Sequence, residues 1–199
     1  YTTNKDSKKE WHQWFDKTAL YKLDFALPNI SQLLYPIGTS IAPNFVIIGA
    51  GAWLFLGDAH EQSITRQRSG FAHINSNIAN MVRSVASVRN SWLKKNGVSE
   101  FLILVAPDKS TVYGDYLPNW IKPDANTFTD SVALQSKDIY LDSRSAFKNA
   151  RGIYTEPLYF KTDTHWNNLG GWVAYRTLAS RLALTQPQLQ WFTENNIKK

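Results

Sequence analysis

The chain has 199 residues, 43% hydrophobic and 19% charged, enough apolar material for one packed domain and too much for global disorder. It contains no cysteine, which excludes disulfides, thiolate metal sites and a cysteine nucleophile. The formal net charge of +6 favours polyanionic partners.

Nucleic acid is one such partner, but the Lys and Arg residues are scattered and form no nucleic-acid motif. An anionic polysaccharide fits the charge equally well, and the chain holds eight Trp whose faces could stack on sugar rings. The competing reading places most of these rings in the core. No apolar run reaches the roughly 18 residues needed to span a bilayer. The longest, 45–48 and 101–106, have strand length. No signal peptide is visible at Tyr1, and a chain starting there is expected to have lost its initiator Met together with a leader.

Along the chain, Trp11, Trp14, Phe15 and Tyr21 predict a short amphipathic helix. An irregular or second helical stretch follows, broken at Pro28, and then a loop over 36–43. Two short apolar runs, 45–48 and 53–56, flank Gly49-Ala50-Gly51 and predict a hairpin, with Gly57-Asp58 closing the second strand. From Phe71 to Lys95, apolar residues including Ile78, Met81, Val85 and Trp92 recur at helical spacing and mark one face of a long helix. Lys94 and Lys95 complement its C-terminal dipole, and Gly97 is expected at C′. The run 101–106 predicts a strand buried on both faces, as in a parallel sheet. Further short elements are predicted at 130–135 (helix), 138–142 (strand), 145–150 (helix) and 158–161 (strand). A helix over 169–184 follows, interrupted near its start by Gly170 and Gly171. The sequence shows no internal repeat or low-complexity linker.

The strongest candidate for chemistry is the loop Lys161-Thr162-Asp163-Thr164-His165-Trp166-Asn167, between a predicted strand and a predicted helix. His165 could act as a general base toward a serine hydroxyl, with Asp163 fixing its tautomer. Two other readings stand beside this one. Asp163 could cap a turn while His165 sits in the loop, or the pair could share a metal ion, although no third ligand at helpful spacing is present. Asp108, Lys109 and Ser110 follow the predicted buried strand, where they either line the same cleft or only end the strand. Asp142 and Arg144 read as a local ion pair or buried hinge. His12, His60 and His73 have no convergent partner. Ser40, in Gly38-Thr39-Ser40, lacks the nucleophile-elbow pattern.

Five segments in order resemble the SGNH-hydrolase-like domain of the alginate-acetylation (AlgJ/AlgX-like) family of O-acetyltransferases. They are Val46-Ile47-Ile48-Gly49 with Ala52-Trp53-Leu54-Phe55 and Gly57-Asp58; Pro107-Asp108-Lys109 through Tyr113; Tyr116-Leu117-Pro118; Ile139-Tyr140-Leu141-Asp142; and Asp163-Thr164-His165-Trp166-Asn167 with Gly170-Gly171. Ala52 stands where the family has glycine, so the turn is expected to differ locally.

The resemblance implies an α/β, SGNH-hydrolase-like (flavodoxin-like) three-layer α/β/α fold with a mostly parallel sheet, incomplete here. It divides the chain into an N-terminal helical or irregular segment, 1–43, and a partial catalytic domain, 44–199. Asp163 and His165 take the catalytic Asp and His positions. The family's nucleophilic serine lies further downstream, past Lys199, so the chain is expected to be inactive by itself. The implied function is O-acetylation of a bacterial exopolysaccharide through a Ser-His-Asp acyl-enzyme. The alternatives are a polysaccharide acetylesterase or a non-catalytic polysaccharide-binding protein. The implied partners are a polysaccharide acceptor, alginate-like or capsular and either anionic or neutral, and a membrane-bound O-acyltransferase that supplies acetyl groups. The implied location is the periplasm, anchored through an N-terminal segment not included in this sequence. No cofactor or metal is called for.

Overall fold

The computed structural model describes residues 26–59, 62–68, 76–121, 127–133 and 136–196. The aromatic residues from Trp11 to Tyr21, the start of the predicted long helix at Phe71, and His12, His60 and His73 lie outside them.

Helix α1 (Leu27–Leu34) carries Pro28 in its first turn, so this proline starts the helix and does not break it. At that position the missing N–H has no intrahelical partner to lose. A 3-10 turn, Tyr35–Ile37, follows. The predicted hairpin forms from β1 (Val46–Ile48) and β2 (Leu54–Leu56), antiparallel, with Ile47 opposite Phe55. In its turn, both Gly51 and Ala52 have φ of 63°, and the Trp53 N–H returns to the Ala50 carbonyl at 3.4 Å. Positive φ at both central residues is the type I′ pattern that suits hairpins. Ala52 therefore holds a backbone conformation that glycine adopts more readily.

After α2 (Ser63–Arg68), α3 (Ser76–Lys95) is the longest described helix. It closes as predicted: Gly97 has φ of 85°, its N–H reaches the Lys94 carbonyl at 3.2 Å, and the Val98 N–H reaches Leu93 at 3.0 Å. Those two bonds are a Schellman cap. Much of the predicted apolar stripe turns out to face outward. Ile78, Met81, Val85 and Trp92 are exposed, whereas Val82, which the sequence placed in the same stripe, packs with buried Ala79 and Ala86 against Val132, Ala133 and Ile139. Small residues let α3 approach the helix Phe128–Ala133 closely, and the bulky residues are left on the other side.

Strand β3 (Ile103–Val105) leads through Pro107 into α4 (Lys109–Val112). Helix α5 (Phe128–Ala133), strand β4 (Tyr140–Asp142), helix α6 (Arg144–Ile153) and helix α7 (Asn168–Ala183) complete the order. β3 and β4 pair in parallel, Leu104 opposite Leu141. Among the described residues β4 is the one strand paired with β3, and β3 is only half-buried along its length.

Among the described residues there are thus two sheets of two strands, one antiparallel and one parallel, and not a mostly parallel sheet. The segment 158–161, expected to be a strand, contributes a single bridge between Tyr159 and Trp166. Its carbonyls face other donors: Leu54 N–H bonds to the Lys161 oxygen at 2.9 Å, and a lysine side chain takes the Phe160 oxygen. The larger core joins the hairpin to α4, α6 and α7 through Ile47, Phe55, Tyr113, Phe147, Leu158 and Val173. Of the tryptophans, Trp53 is buried and Trp92 and Trp120 are exposed. No helix among the described residues is long and apolar enough to cross a membrane.

Candidate active site

The loop carrying Asp163 and His165 is closed at its base by backbone bonds. The Asn167 N–H reaches the Leu158 carbonyl at 3.0 Å, and the Phe160 N–H reaches the His165 carbonyl at 3.3 Å. Below it, the Leu158 N–H donates to the Tyr113 hydroxyl at 2.9 Å, and the Tyr159 hydroxyl donates to the Pro107 carbonyl. Trp166 stacks on buried Phe147, with ring centroids 5.6 Å apart. Asn167 caps α7: its Oδ1 accepts the N–H groups of Leu169 and Gly170 at 3.0 and 3.1 Å, and its Nδ2 donates to the Pro157 carbonyl at 2.6 Å. Gly170 lies so close to Leu158 that a Cβ there would meet the Leu158 carbonyl. The loop therefore stands on aromatic packing against distant Phe147 and Tyr113 and on a helix capped by its own Asn167.

On this base, Asp163 Oδ1 lies 2.6 Å from His165 Nδ1 and accepts the His165 backbone N–H at 2.9 Å. The backbone bond, followed by the imidazole bond, holds the Asp163 carboxyl below the usual carboxylate range. An ionised carboxylate only accepts, so the contact assigns the imidazole proton to Nδ1 and leaves Nε2 as the free, basic nitrogen. The His165 side chain is 81% exposed and that of Asp163 55%. The pair therefore faces solvent and can meet a substrate. Asp163 also caps the turn that follows it, as the sequence alone allowed, because its Oδ1 accepts the His165 N–H two residues on, while the N-cap of α7 belongs to Asn167. Among the described residues there is no group of three or more His, Asp or Glu able to hold a metal ion.

The segment after β3 joins this site. Lys109 is almost fully enclosed, and its Nζ donates to the carbonyls of Phe160, Lys161 and Asp163. The sequence offered Lys109 either as a cleft residue or as the end of a strand. It is instead a buried cation beneath the loop, and no local pattern announces contacts to carbonyls more than fifty positions away. Asp108, Lys109, Ser110 and Thr164 line a small cavity of about 70 Å³ beside it. Burial among surrounding atoms pushes the Asp108 carboxyl up.

The remaining candidates lie elsewhere. Arg144 bonds Asp142, as expected, and also Asp130, with closest contacts of 2.6 and 2.5 Å. Burial alone would raise these two carboxyls, but the Arg144 bonds, with Thr127 at Asp130, bring both below the usual range. That cluster ties α5 to the start of α6 and serves structure. Ser40 Oγ accepts the Ala42 N–H at 3.1 Å within a turn.

The family described as SGNH hydrolase-like domain, acetyltransferase AlgX, matches residues 46–198. Two structures of PatB1 from Bacillus cereus are similar at 18% identity. The one with a sulfonyl adduct has a TM-score of 0.50 and covers 77% of this chain and 47% of that one. The other has a TM-score of 0.52 and covers 75% and 45%. The O-acetyltransferase domain of Pseudomonas putida AlgJ is 24% identical, with a TM-score of 0.47, over 74% of this chain and 50% of its own. The chain thus spans about half the length of each of these structures. At this identity the likeness to PatB1 extends to the fold. No curated protein matches the chain.

Proposed function

The chain belongs to the family of SGNH-hydrolase-like, AlgX-type acetyltransferase domains, and from that premise we propose that Asp163 and His165 serve acetyl transfer to hydroxyl groups of a bacterial exopolysaccharide. The observation that carries this reading is the 2.6 Å contact between Asp163 Oδ1 and His165 Nδ1 on a solvent-facing loop.

In this mechanism the nucleophile is a serine hydroxyl brought beside His165 in the full-length protein. His165 Nε2 takes the serine proton as Oγ attacks the acetyl carbonyl of a donor. The tetrahedral intermediate collapses, the donor's leaving group departs with that proton, and an acetyl-serine remains. A sugar hydroxyl then attacks, again losing its proton to His165; the ester bond to the serine breaks, its Oγ takes that proton back, and the acetyl ester passes to the polymer. Asp163 keeps Nδ1–H oriented and stabilises the imidazolium in both halves.

The net charge of +6 fits an anionic acceptor such as an alginate-like polymer. In the same reading, the protein works in the periplasm on an inner-membrane anchor and receives acetyl groups from a membrane-bound O-acyltransferase. An acetylesterase is the second reading, because an imidazole 81% exposed is open to water as the second nucleophile.

The test uses the full-length protein with 4-nitrophenyl acetate and an alginate oligosaccharide. Acetylated oligosaccharide is expected from wild type and none from His165→Ala. Transfer at the wild-type rate by His165→Ala overturns the mechanism, and release of free acetate alone favours the esterase.

A further inference from the structure

Lys109 is 4% exposed, yet among the described residues its hydrogen bonds run to backbone carbonyls and not to a carboxylate side chain. Its Nζ donates to the carbonyl oxygens of Phe160 at 3.1 Å, Lys161 at 3.1 Å and Asp163 at 2.6 Å. An ammonium has three N–H donors, so these three carbonyls use all of them. The rings of Trp53 and Phe55 from the hairpin flank the cation, their centroids 5.7 and 5.3 Å from Nζ.

Enclosing a cation costs several kcal/mol unless its partners compensate. A lysine packed among Trp53 and Phe55 is a poor choice if filling space is the only need. Its acceptors explain it. They belong to residues 160, 161 and 163, whose carbonyls converge on one point inside the loop. Converging carbonyl dipoles repel one another, and a central ammonium converts that repulsion into attraction. The Asp163 carbonyl lies inward on Lys109 while the Asp163 carboxylate lies on His165. The same residue is therefore gripped at its backbone and used at its side chain. Burial holds the ammonium down to about 8, with the charge of Asp163 opposing this, as expected for a desolvated cation beneath an anion.

We propose that Lys109 is a positioning residue for the Asp163–His165 pair, its ammonium setting the loop conformation in which Asp163 Oδ1 meets His165 Nδ1. This inference rests on the acetyl-transfer reading for its kinetic consequence and on geometry alone for its spectroscopic one.

The experiment compares full-length wild type with Lys109→Met and Lys109→Gln. Long-range 1H–15N correlation reads the neutral tautomer of His165, and acetyl transfer is measured alongside. With Lys109 intact, the proton resides on Nδ1. In Lys109→Met the loop loosens, the population moves toward Nε2–H, and kcat falls by about tenfold or more with KM within about twofold. Lys109→Gln keeps two N–H donors on a shorter side chain and is expected to fall between. Should Lys109→Met fail to melt cooperatively, Lys109→Gln is read in its place. A folded variant with the wild-type tautomer overturns the proposal, whether its kcat is reduced or not. A wild-type protein that transfers no acetyl group overturns the acetyl-transfer reading instead, and the tautomer comparison then judges Lys109 separately.

Discussion

One carboxylate oxygen, Asp163 Oδ1, accepts two hydrogen bonds from the same residue: the backbone N–H of His165 at 2.9 Å and its imidazole Nδ1–H at 2.6 Å. The first bond fixes the chain between the two residues, and the second fixes the ring. Asp163→Asn keeps the shape but offers an amide where the tautomer requires an anion. In the full-length enzyme, kcat for acetyl release from 4-nitrophenyl acetate is expected to fall roughly 10³-fold or more. Because the side chains are exposed, the melting temperature should barely move. A loss under tenfold would mean that the ring is oriented by something else.

Glycines 170 and 171 give a paired test. A Cβ on Gly170 meets the Leu158 carbonyl and the Trp166 Cβ, whereas one on Gly171 meets nothing within 4 Å. Gly170→Ala should destabilise by about 1–3 kcal/mol, as overpacking does. Gly171→Ala should stabilise by up to about 1 kcal/mol through helix propensity. Urea denaturation of both variants checks the opposite signs.

Ala52 has φ of 63° in the hairpin turn. Ala52→Gly removes the steric cost of that conformation, partly offset by the greater freedom of glycine in the unfolded chain. A gain of about 0.5–1 kcal/mol is expected, read as a higher melting temperature.

The Arg144 cluster predicts pH dependence. The carboxyls of Asp130 and Asp142 are depressed in the fold, so their contribution is complete above the ordinary carboxylate range and fades as pH falls through their lowered values. Arg144→Met should cost about 2 kcal/mol at pH 7. The gap from wild type should narrow near pH 3, and a gap independent of pH would contradict the assignment.

What could be read from the sequence was local. Helical spacing placed α3 and α7, the glycine after Lys95 placed the end of α3, and Gly49-Ala50-Gly51 placed the hairpin. The Asp163–His165 contact needs only two residues of separation, so the loop that carries it was visible too. Lys109 was not, because its acceptors are brought to it by folding, from 51 to 54 positions along the chain. The second partner of Arg144 was hidden likewise, since Asp130 precedes it by 14 positions across a strand. On α3, spacing marked a face correctly but could not say which way it turned. Alanines against α5 decided that, and they carry little weight in a hydrophobic pattern.

The Asn167 cap limits the chemistry of the helix that follows it. A bare helix start presents unpaired amide protons and a positive dipole end to any anion nearby. Here the amides of Leu169 and Gly170 already bind the Asn167 side chain, and that of Gly171 binds the Asn167 carbonyl. In the proposed transfer, the negative charge that develops on an acetyl oxygen would be met by donors other than these three amides, which leave the helix beside Asp163 and His165 a support and not an anion receptor.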